Sequence, residues 1–524
     1  MRSAGAGTFV RWTSEPVYHA AYIIGSVLAA LLAGAGIASE SPVLYGIIPG
    51  VIGGLMALVA GIRFFRGKHD LAGFVATLCG FVYYQAYQAN PVMLPEFTGY
   101  MIPIQERDQL VGIVLANLTT ALLLGACLVM SRLLPGPIRA FVPSAAASVR
   151  AQTDGAATLA FWMIFGAVAL PNLLFGKVVV GAIRNIIYQR LSWTGDADYS
   201  GFEVWGGPLG ASFANLALWA TSLFLLWMYL LRSRHRLLMI VVSPLVVIWT
   251  ASVVMQGSRT YLVTMAIAIG VYALGDPKIS GRAYFHAVWA IGLLFVLVQV
   301  ASFYRGEGLK AANLSDFSSR VLEISGNEGA SSEMDGIEYF RTELLARGTA
   351  PNPAVGFIRG IAERPIEGLM MPIPRSLFPW KPVDDTGTEY NLFFENVRLG
   401  VETSEIFLGA SPGLIGRELI KYGYLGPVTL LFWMGLILAL ADQLYRLGAQ
   451  SDFNRLFAAA LVAFFVAQAR DFSPVWFIPF LPVMVVLGFI ARRCQARRPL
   501  GPRAGRPGAV AGGSNPVPAG RAPI

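Results

Sequence analysis

Residues 109–131 read QLVGIVLANLTTALLLGACLVMS, a stretch without one charged side chain. About twenty apolar residues in one α-helix cross the roughly 30 Å of hydrocarbon in a bilayer. Similar apolar runs centre on 18–36, 43–62, 71–89, 156–175, 209–231, 238–255, 260–275, 284–303, 427–445, 456–470 and 474–491. The chain is 55% hydrophobic and only 14% charged, with a mean hydropathy of +0.58, which excludes an ordinary soluble domain. We therefore predict an all-α, polytopic integral membrane protein of about twelve transmembrane helices, forming one domain over 1–491.

The distribution of basic residues predicts how these helices are oriented. Lys and Arg near helix ends are retained on the cytoplasmic side of a membrane. Short basic connectors follow every second span and hold Arg63, Arg66, Lys68, Arg132, Arg139, Arg150, Arg232, Arg234, Arg236, Lys278, Arg282, Arg446 and Arg455. Both termini are thus expected to be cytoplasmic, in a bacterial inner membrane. Since the net charge of +9 reflects this topology, it does not indicate a nucleic-acid partner.

Segments outside the spans differ sharply in length and composition. The tail 492–524 is rich in Arg, Pro, Gly and Ala, so we expect a disordered, basic cytoplasmic tail. Two connections on the extracytoplasmic side are long, at about 176–208 and 304–423, and loops of this size usually carry function. Within the second, residues 331–347 have Ile337, Phe340, Leu344 and Leu345 at helical spacing. They predict an amphipathic helix that lies along the membrane surface or covers the bundle.

Cysteine and histidine provide no metal site on the extracytoplasmic side. Cys79 and Cys127 fall in predicted spans, and Cys494 falls in the tail. The four histidines lie on or near the predicted cytoplasmic side. We therefore expect a metal-independent protein without a cofactor.

Several basic residues stand at positions that are costly near hydrocarbon. Arg259 ends the sequence Gln-Gly-Ser-Arg between two spans, Arg305 begins the long loop, and Arg470 ends the eleventh span. An Arg at such a boundary indicates function unless it snorkels or pairs with a neighbouring carboxylate. The segment 372–382, PIPRSLFPWKP, adds Arg375 and Lys381 on a backbone stiffened by proline. Guanidinium and ammonium groups together suit a pyrophosphate.

The strongest family signal lies at 398–427, which reads RLGVETSEIFLGASPGLIGRELIKYGYLGP. This Ser/Glu-rich lead into a Tyr-Gly-Tyr-Leu-Gly turn, with the Gly-Ser-Arg and Pro-Arg to Lys-Pro segments, resembles O-antigen polymerases of the Wzy type. In that family two extracytoplasmic loops carry an Arg followed, after ten residues, by Gly. Here the third loop has this spacing twice, in Arg184 with Gly195 and in Arg190 with Gly201, and the fifth has it in Arg398 with Gly409. The layout of long third and fifth outer loops is similar as well.

The resemblance implies a GT-C-like bundle that polymerises oligosaccharide repeat units linked to undecaprenyl pyrophosphate. Donor and acceptor glycans, membrane lipids, a chain-length regulator and a flippase are the implied partners, and the product is O-antigen, capsule or exopolysaccharide. The candidate catalytic residues are Arg398, Glu402 and Glu405, with Glu395 and Asp384 as alternative bases. The candidate pyrophosphate ligands are Arg259, Arg305, Arg375, Lys381, Arg417 and Arg470. The candidate glycan-binding residues are Arg190, Trp193 and Trp380.

Other functions fit parts of the same sequence. An O-antigen ligase shares the layout, although ligases of this kind use an outer-face histidine. A polysaccharide transporter or flippase requires charges inside the spans and inverted repeats, and neither is evident. Asp196-Ala197-Asp198 resembles the Asp-X-Asp of sugar-nucleotide transferases, but nucleotide sugars are cytoplasmic. Polymerisation is the interpretation that accommodates most of these features.

Overall fold

The computed structural model describes residues 15–39, 41, 43–68, 70–84, 106–133, 240, 243–244, 265–274, 281, 285–286, 288–294, 296, 332–370, 390, 414–448 and 452–467. These residues are almost entirely helical. The predicted spans 156–175, 209–231 and 474–491 lie outside them, as do most of 238–255 and the tail 492–524. The predicted loop 176–208 also lies outside, as do 304–331 and all of 371–413 except Tyr390.

Nine α-helices account for most of the described residues. Their bounds are α1 Glu15–Ala38, α2 Ile48–Arg63, α3 Leu71–Tyr84, α4 Glu106–Leu133, α5 Ser332–Tyr339, α6 Pro353–Met370, α7 Leu414–Tyr422, α8 Gly426–Gly448 and α9 Asp452–Ala467. Wider π-helical turns lie at Val43–Ile47, Phe64–Lys68, Gly270–Leu274 and Phe340–Leu345, and a 3₁₀ turn lies at Gly423–Leu425. Six predicted spans coincide with α1, α2, α3, α4, α8 and α9.

Four described segments are long and apolar enough to cross a membrane: Pro16–Ala38, Ile48–Arg66, Val114–Leu133 and Leu414–Arg446. The outward faces of the first two are apolar, with Ile24, Leu31, Leu55 and Leu58 exposed. Large apolar side chains on the outside of a helix are typical of contact with lipid. The described part of the chain is therefore that of an all-α membrane protein, as the sequence predicts. The total of about twelve spans and the GT-C-like arrangement remain predictions.

The segment Leu414–Arg446 is two helices rather than one. Gly423 has a φ of 71°, the left-handed conformation in which glycine commonly ends a helix. Beyond the turn, Gly426 lies against the backbone of Glu418, although eight residues of a continuous helix would separate them by about 12 Å. Within this segment, α8 alone is long enough to span the bilayer, since its 23 residues extend about 35 Å.

Helix α4 is the centre of the described bundle, because it packs against α1, α3 and α8. Small residues allow these backbones to approach closely: a Cβ on Gly435 of α8 would lie 2.7 Å from the backbone carbon of Ala126 on α4. Helix α9 contributes the buried Ala458, Ala459 and Ala463 to its contact with α8. Small residues are the usual means of packing helices where no water drives them together.

Buried polar groups fix the start of α3 against α1 and α8. Asp70 accepts hydrogen bonds from His19 Nε2 at 2.8 Å and from the backbone N–H of Gly73 at 3.0 Å. The backbone N–H of Ala72 donates to Asp442 at 3.3 Å, and Asp442 also pairs with Arg446 at 2.6 Å. Two carboxylates thus bind N–H groups that the first turn of a helix leaves without partners. In the predicted orientation this cluster lies at the cytoplasmic end.

Replacing Gly435 by Ala should destabilise the bundle, because the added methyl group meets the backbone of α4 and overpacking costs about 1–3 kcal/mol. Gly125→Ala is the matched control, since a Cβ at that position meets nothing within 4 Å. It should be neutral or stabilising, because Ala is favoured over Gly in a helix by about 1 kcal/mol. Heating the purified variants in detergent and measuring the monodisperse fraction compares the two. Equal stability of the variants would contradict the packing described for α4 and α8.

Asp70 should make stability depend on acidity. Burial raises the pKa of Asp70, but the hydrogen bond and charge of His19, the Gly73 N–H and the charge of Arg446 together hold this pKa below its ordinary value. A carboxyl whose pKa is lowered in the folded protein stabilises the fold at pH values above its pKa in the unfolded chain, which is about 3.9 for Asp. That stabilisation is lost as the pH falls through the folded pKa. At pH 7 we expect Asp70→Asn to cost about 1.5–3 kcal/mol, and thermal unfolding should show the gap to the native protein narrowing below about pH 4. A gap that is constant from pH 7 to 3 would contradict this.

Candidate functional site

Arg417 is the predicted site residue that falls on a described helix. It lies on α7 and is partly buried. The other candidates lie outside the described residues: Arg190, Trp193, Arg259, Arg305, Arg375, Trp380, Lys381, Arg398, Glu402, Glu405 and Arg470. The surroundings of α7 are therefore where the predicted chemistry can be compared with geometry.

Helix α5 covers one side of α7. The predicted amphipathic helix is confirmed, since α5 and the turn Phe340–Leu345 are helical. Ile337 and Phe340 are buried, whereas Leu345 is exposed. The two helices approach so closely that a Cβ on Gly416 would lie 2.7 Å from the Cα of Gly336. The amphipathic segment therefore packs on α7.

An aromatic cluster ties the long predicted loop to this place. Tyr390 is fully buried, and its ring lies 6.1 Å from that of Tyr339, nearly perpendicular to it. Phe340 and Ile420 complete the buried group. Edge-to-face aromatic pairs at such distances are stabilising. Tyr390 precedes Arg398 by eight residues, so one point of the segment that carries the predicted catalytic residues is fixed beside α7.

A buried ion pair lies on the other side of α7. Arg364 of α6 forms an ion pair with the carboxylate of Glu418, and the two side chains are only 2% and 4% exposed. The guanidinium carbon also lies 4.9 Å from the centre of the Tyr422 ring. Buried charges are costly, and they persist where they are paired and have further contacts. A cation over an aromatic face is such a contact.

The local sequence explains how Arg364 reaches Glu418. Asn352 precedes α6 and caps it, because its side-chain oxygen accepts from the N–H groups of Ala354 at 3.0 Å and Val355 at 3.4 Å. Gly356 and Gly360 then form a Gly-x-x-x-Gly face. A side chain on Gly356 would collide with the carbonyl of Tyr422, and one on Gly360 would collide with Thr429. Without a Cβ, α6 lies directly against the junction of α7 and α8.

Basic side chains are concentrated around α7. Arg417 and Lys421 lie on α7 together with Glu418, and Arg364 of α6 pairs with Glu418. Lys421 Nζ lies 5.4 Å from the centre of the Tyr422 ring, which the guanidinium of Arg364 also approaches. Guanidinium and ammonium groups are the usual protein ligands of phosphates. Among the described residues, no cluster of His, Cys, Asp or Glu could hold a metal ion.

Sequence reasoning missed Arg364, Glu418, Tyr390 and Tyr422. The first two read as ordinary charges of an outer loop, because neither lies near a predicted span boundary. One signal was present: Gly356 and Gly360 are four residues apart, a spacing that predicts close helix packing. This spacing would have indicated that the same face of the helix, including Arg364 one turn later, is buried against another helix.

Removing one member of the buried pair should be far more damaging than removing both. Glu418→Gln leaves the buried charge of Arg364 uncompensated, and Arg364→Met does the same to Glu418. Each should cost about 3–5 kcal/mol. The double variant should recover much of this loss. The pair of the exposed Arg347 with Glu343 is the control, and Arg347→Ala should change stability by less than about 1 kcal/mol. Thermal stability in detergent provides the comparison, and single variants that match the control would contradict a buried pair.

Comparison with known proteins adds no residue to this site. No family model, no curated protein and no solved structure matches the chain. The roles of Arg364, Arg417 and Glu418 therefore depend on their own geometry and chemistry.

Proposed function

We propose that this protein is a membrane glycosyltransferase that polymerises oligosaccharide repeat units carried on undecaprenyl pyrophosphate. The observation that supports this most directly is the cation-rich site of Arg364, Arg417, Glu418 and Lys421 at the start of the α8 span. The reaction takes place on the extracytoplasmic face of a bacterial inner membrane, without a metal or a cofactor. It builds O-antigen, capsule or exopolysaccharide.

The position of the site suits a lipid-linked substrate. A pyrophosphate on a polyprenyl chain lies at the level of the lipid headgroups. Helix α7 ends at Tyr422, just before α8 enters its apolar stretch at Val428. In the orientation predicted from the basic connectors, this end of α8 is extracytoplasmic. Arg417 and Lys421 would then meet the pyrophosphate at the depth where the carrier holds it.

The chemistry needs a leaving group stabilised and a hydroxyl activated. The terminal hydroxyl of one repeat unit attacks the anomeric carbon of the glycan on a second carrier, and the bond from that carbon to the pyrophosphate oxygen breaks. Both electrons of that bond leave with the pyrophosphate, whose added charge the pre-oriented cations stabilise. The hydroxyl proton passes to a carboxylate, for which Glu402 and Glu405 are the candidates. The pyrophosphate remains on its carrier lipid.

The buried pair would act by positioning rather than by touching substrate. Glu418 precedes the turn at Gly423 and is held by Arg364. Fixing Glu418 also fixes the helix that carries Arg417, its neighbour in sequence. A ligand that is held before substrate binds contributes more to catalysis, because little reorganisation remains to be done. Arg398, Arg259, Arg305, Arg375, Lys381 and Arg470 belong to the same proposal as further cationic contacts, and Arg190, Trp193 and Trp380 as glycan contacts.

In a strain lacking the native chain, Arg417→Ala, Arg398→Ala and Arg259→Ala should each leave single repeat units on the carrier lipid. Loss of one group that stabilises the leaving charge typically lowers the rate about 10²- to 10³-fold. Glycan length on the carrier, measured by gel electrophoresis and mass spectrometry, gives the result.

The control is Arg347→Ala, because Arg347 is exposed and pairs with Glu343, four residues before it. It should restore long chains at the same membrane level as the native protein. Long carrier-bound polymer in a strain that lacks the chain altogether would overturn polymerisation and indicate a ligase instead. Native chain lengths in all three test variants would overturn the assignment of these arginines.

A further inference from the structure

The exposed face of helix α6 is apolar, which is unusual for a helix in a water-exposed loop. Val355, Ile358 and Ile366 are 54%, 66% and 46% exposed. At 3.6 residues per turn they share one side of the helix. The opposite side holds Gly356, Gly360 and the buried Arg364, which face α7 and α8. A surface helix in water shows the reverse pattern, with its polar side chains outward.

Contacts with α8 give the depth at which this apolar stripe lies. Gly360 touches Thr429, and its carbonyl accepts from the indole N–H of Trp433 at 3.3 Å. Both partners belong to the predicted span 427–445. Trp433 follows Gly426 by seven residues, which is about 10 Å along the helix. Helix α6 therefore runs beside the outer part of a membrane span, below the level where that span begins.

The stripe also lies near exposed apolar side chains at the start of α8. Val428 of α8 is 50% exposed, and Tyr424 and Leu425 beside it are exposed as well. These residues stand at the start of a span whose exposed side chains face the bilayer. Since α6 packs on this part of α8 and on the turn before it, its exposed apolar side chains extend the same lateral surface.

The polar groups of α6 are compatible with this environment. Arg359 and Glu363 form a two-bond ion pair, at 2.6 and 3.3 Å, on the flank between the apolar stripe and the glycine face. A charge next to lipid is tolerated when it is paired or can reach the headgroups. The pair satisfies both groups within the helix.

We propose that α6 is a membrane-contacting helix, and that the acyl chains of bilayer lipids cover Val355, Ile358 and Ile366. Part of the segment that the sequence predicts as an extracytoplasmic loop thus belongs to the membrane domain. This inference does not depend on the glycan chemistry. One consequence is that the ion pair of Arg364 and Glu418 lies on the inner face of α6, opposite the face that contacts lipid.

The test is the accessibility of a nitroxide label in vesicles of phosphatidylethanolamine and phosphatidylglycerol. The full chain carries Cys494→Ser and one added cysteine, Ile358→Cys, for labelling. Cys79 and Cys127 are kept, because they are buried and should not react with the label. Collisions with molecular oxygen, which concentrates in hydrocarbon, are compared with collisions with a water-soluble nickel chelate. Leu55→Cys on α2 is the lipid-facing reference, and Arg347→Cys is the water-facing reference.

We expect the label at Ile358 to resemble that at Leu55, with an oxygen-to-nickel ratio several-fold above that at Arg347. Ready collision with the nickel chelate would overturn the proposal in favour of exposure to water. Poor collision with both reagents would overturn it in favour of coverage by protein, including a second copy of this chain. Val355→Cys repeats the measurement on the same stripe, so a single misfolded variant does not decide the result.

Discussion

The turn at Gly423 is the constraint on which the candidate site depends. Its left-handed backbone ends α7 and directs the chain so that Gly426 lies against the backbone of Glu418. A side chain at Gly423 would be strained and would also meet the carbonyl of Pro351, 2.7 Å from its Cβ. Because α7 leaves the axis of the span here, a space opens between α6, α7 and α8 that Arg364 fills. A straight helix from Leu414 to Arg446 would have no such space, and Glu418 would have faced lipid or water.

Glycine performs a second task in the same region, since it brings helix backbones into contact. Gly356, Gly360 and Gly416 lie where a Cβ would collide with the backbone or side chain of a neighbouring helix. In a bilayer, lipid tails are as apolar as leucine, so close van der Waals contact replaces the hydrophobic effect as the force that joins helices. The cover formed by α5 and α6 is therefore packed by the same means as the junction of α4 and α8. This similarity is a physical reason to regard the cover as part of the membrane domain.

The helices that sequence predicted well are those whose evidence is local. The apolar runs of α1, α2, α4 and α8 follow directly from the length and the solvent that a span requires. The spacing of Ile337 and Phe340 sufficed for α5, because a helix period shows in a few residues. The pairing of Arg364 with Glu418 could not be predicted in this way, since it joins residues 54 positions apart through a turn. Nor could the apolar stripe of α6 be oriented, because a pattern shows that two faces differ and does not show which one is buried.

The two ends of α8 bury charge for different purposes. At the Asp442 end, carboxylates of Asp70 and Asp442 accept N–H groups at the start of α3, and His19 and Arg446 balance them. These four side chains join α1, α3 and α8. At the α7 end, Glu418 holds Arg364, while Arg417 and Lys421 bring further positive charge to the same short helix. Basic side chains near a membrane are costly and are common where an anion binds. The Asp442 end thus holds the bundle together, and the α7 end carries the basic side chains on which the proposed pyrophosphate contact depends.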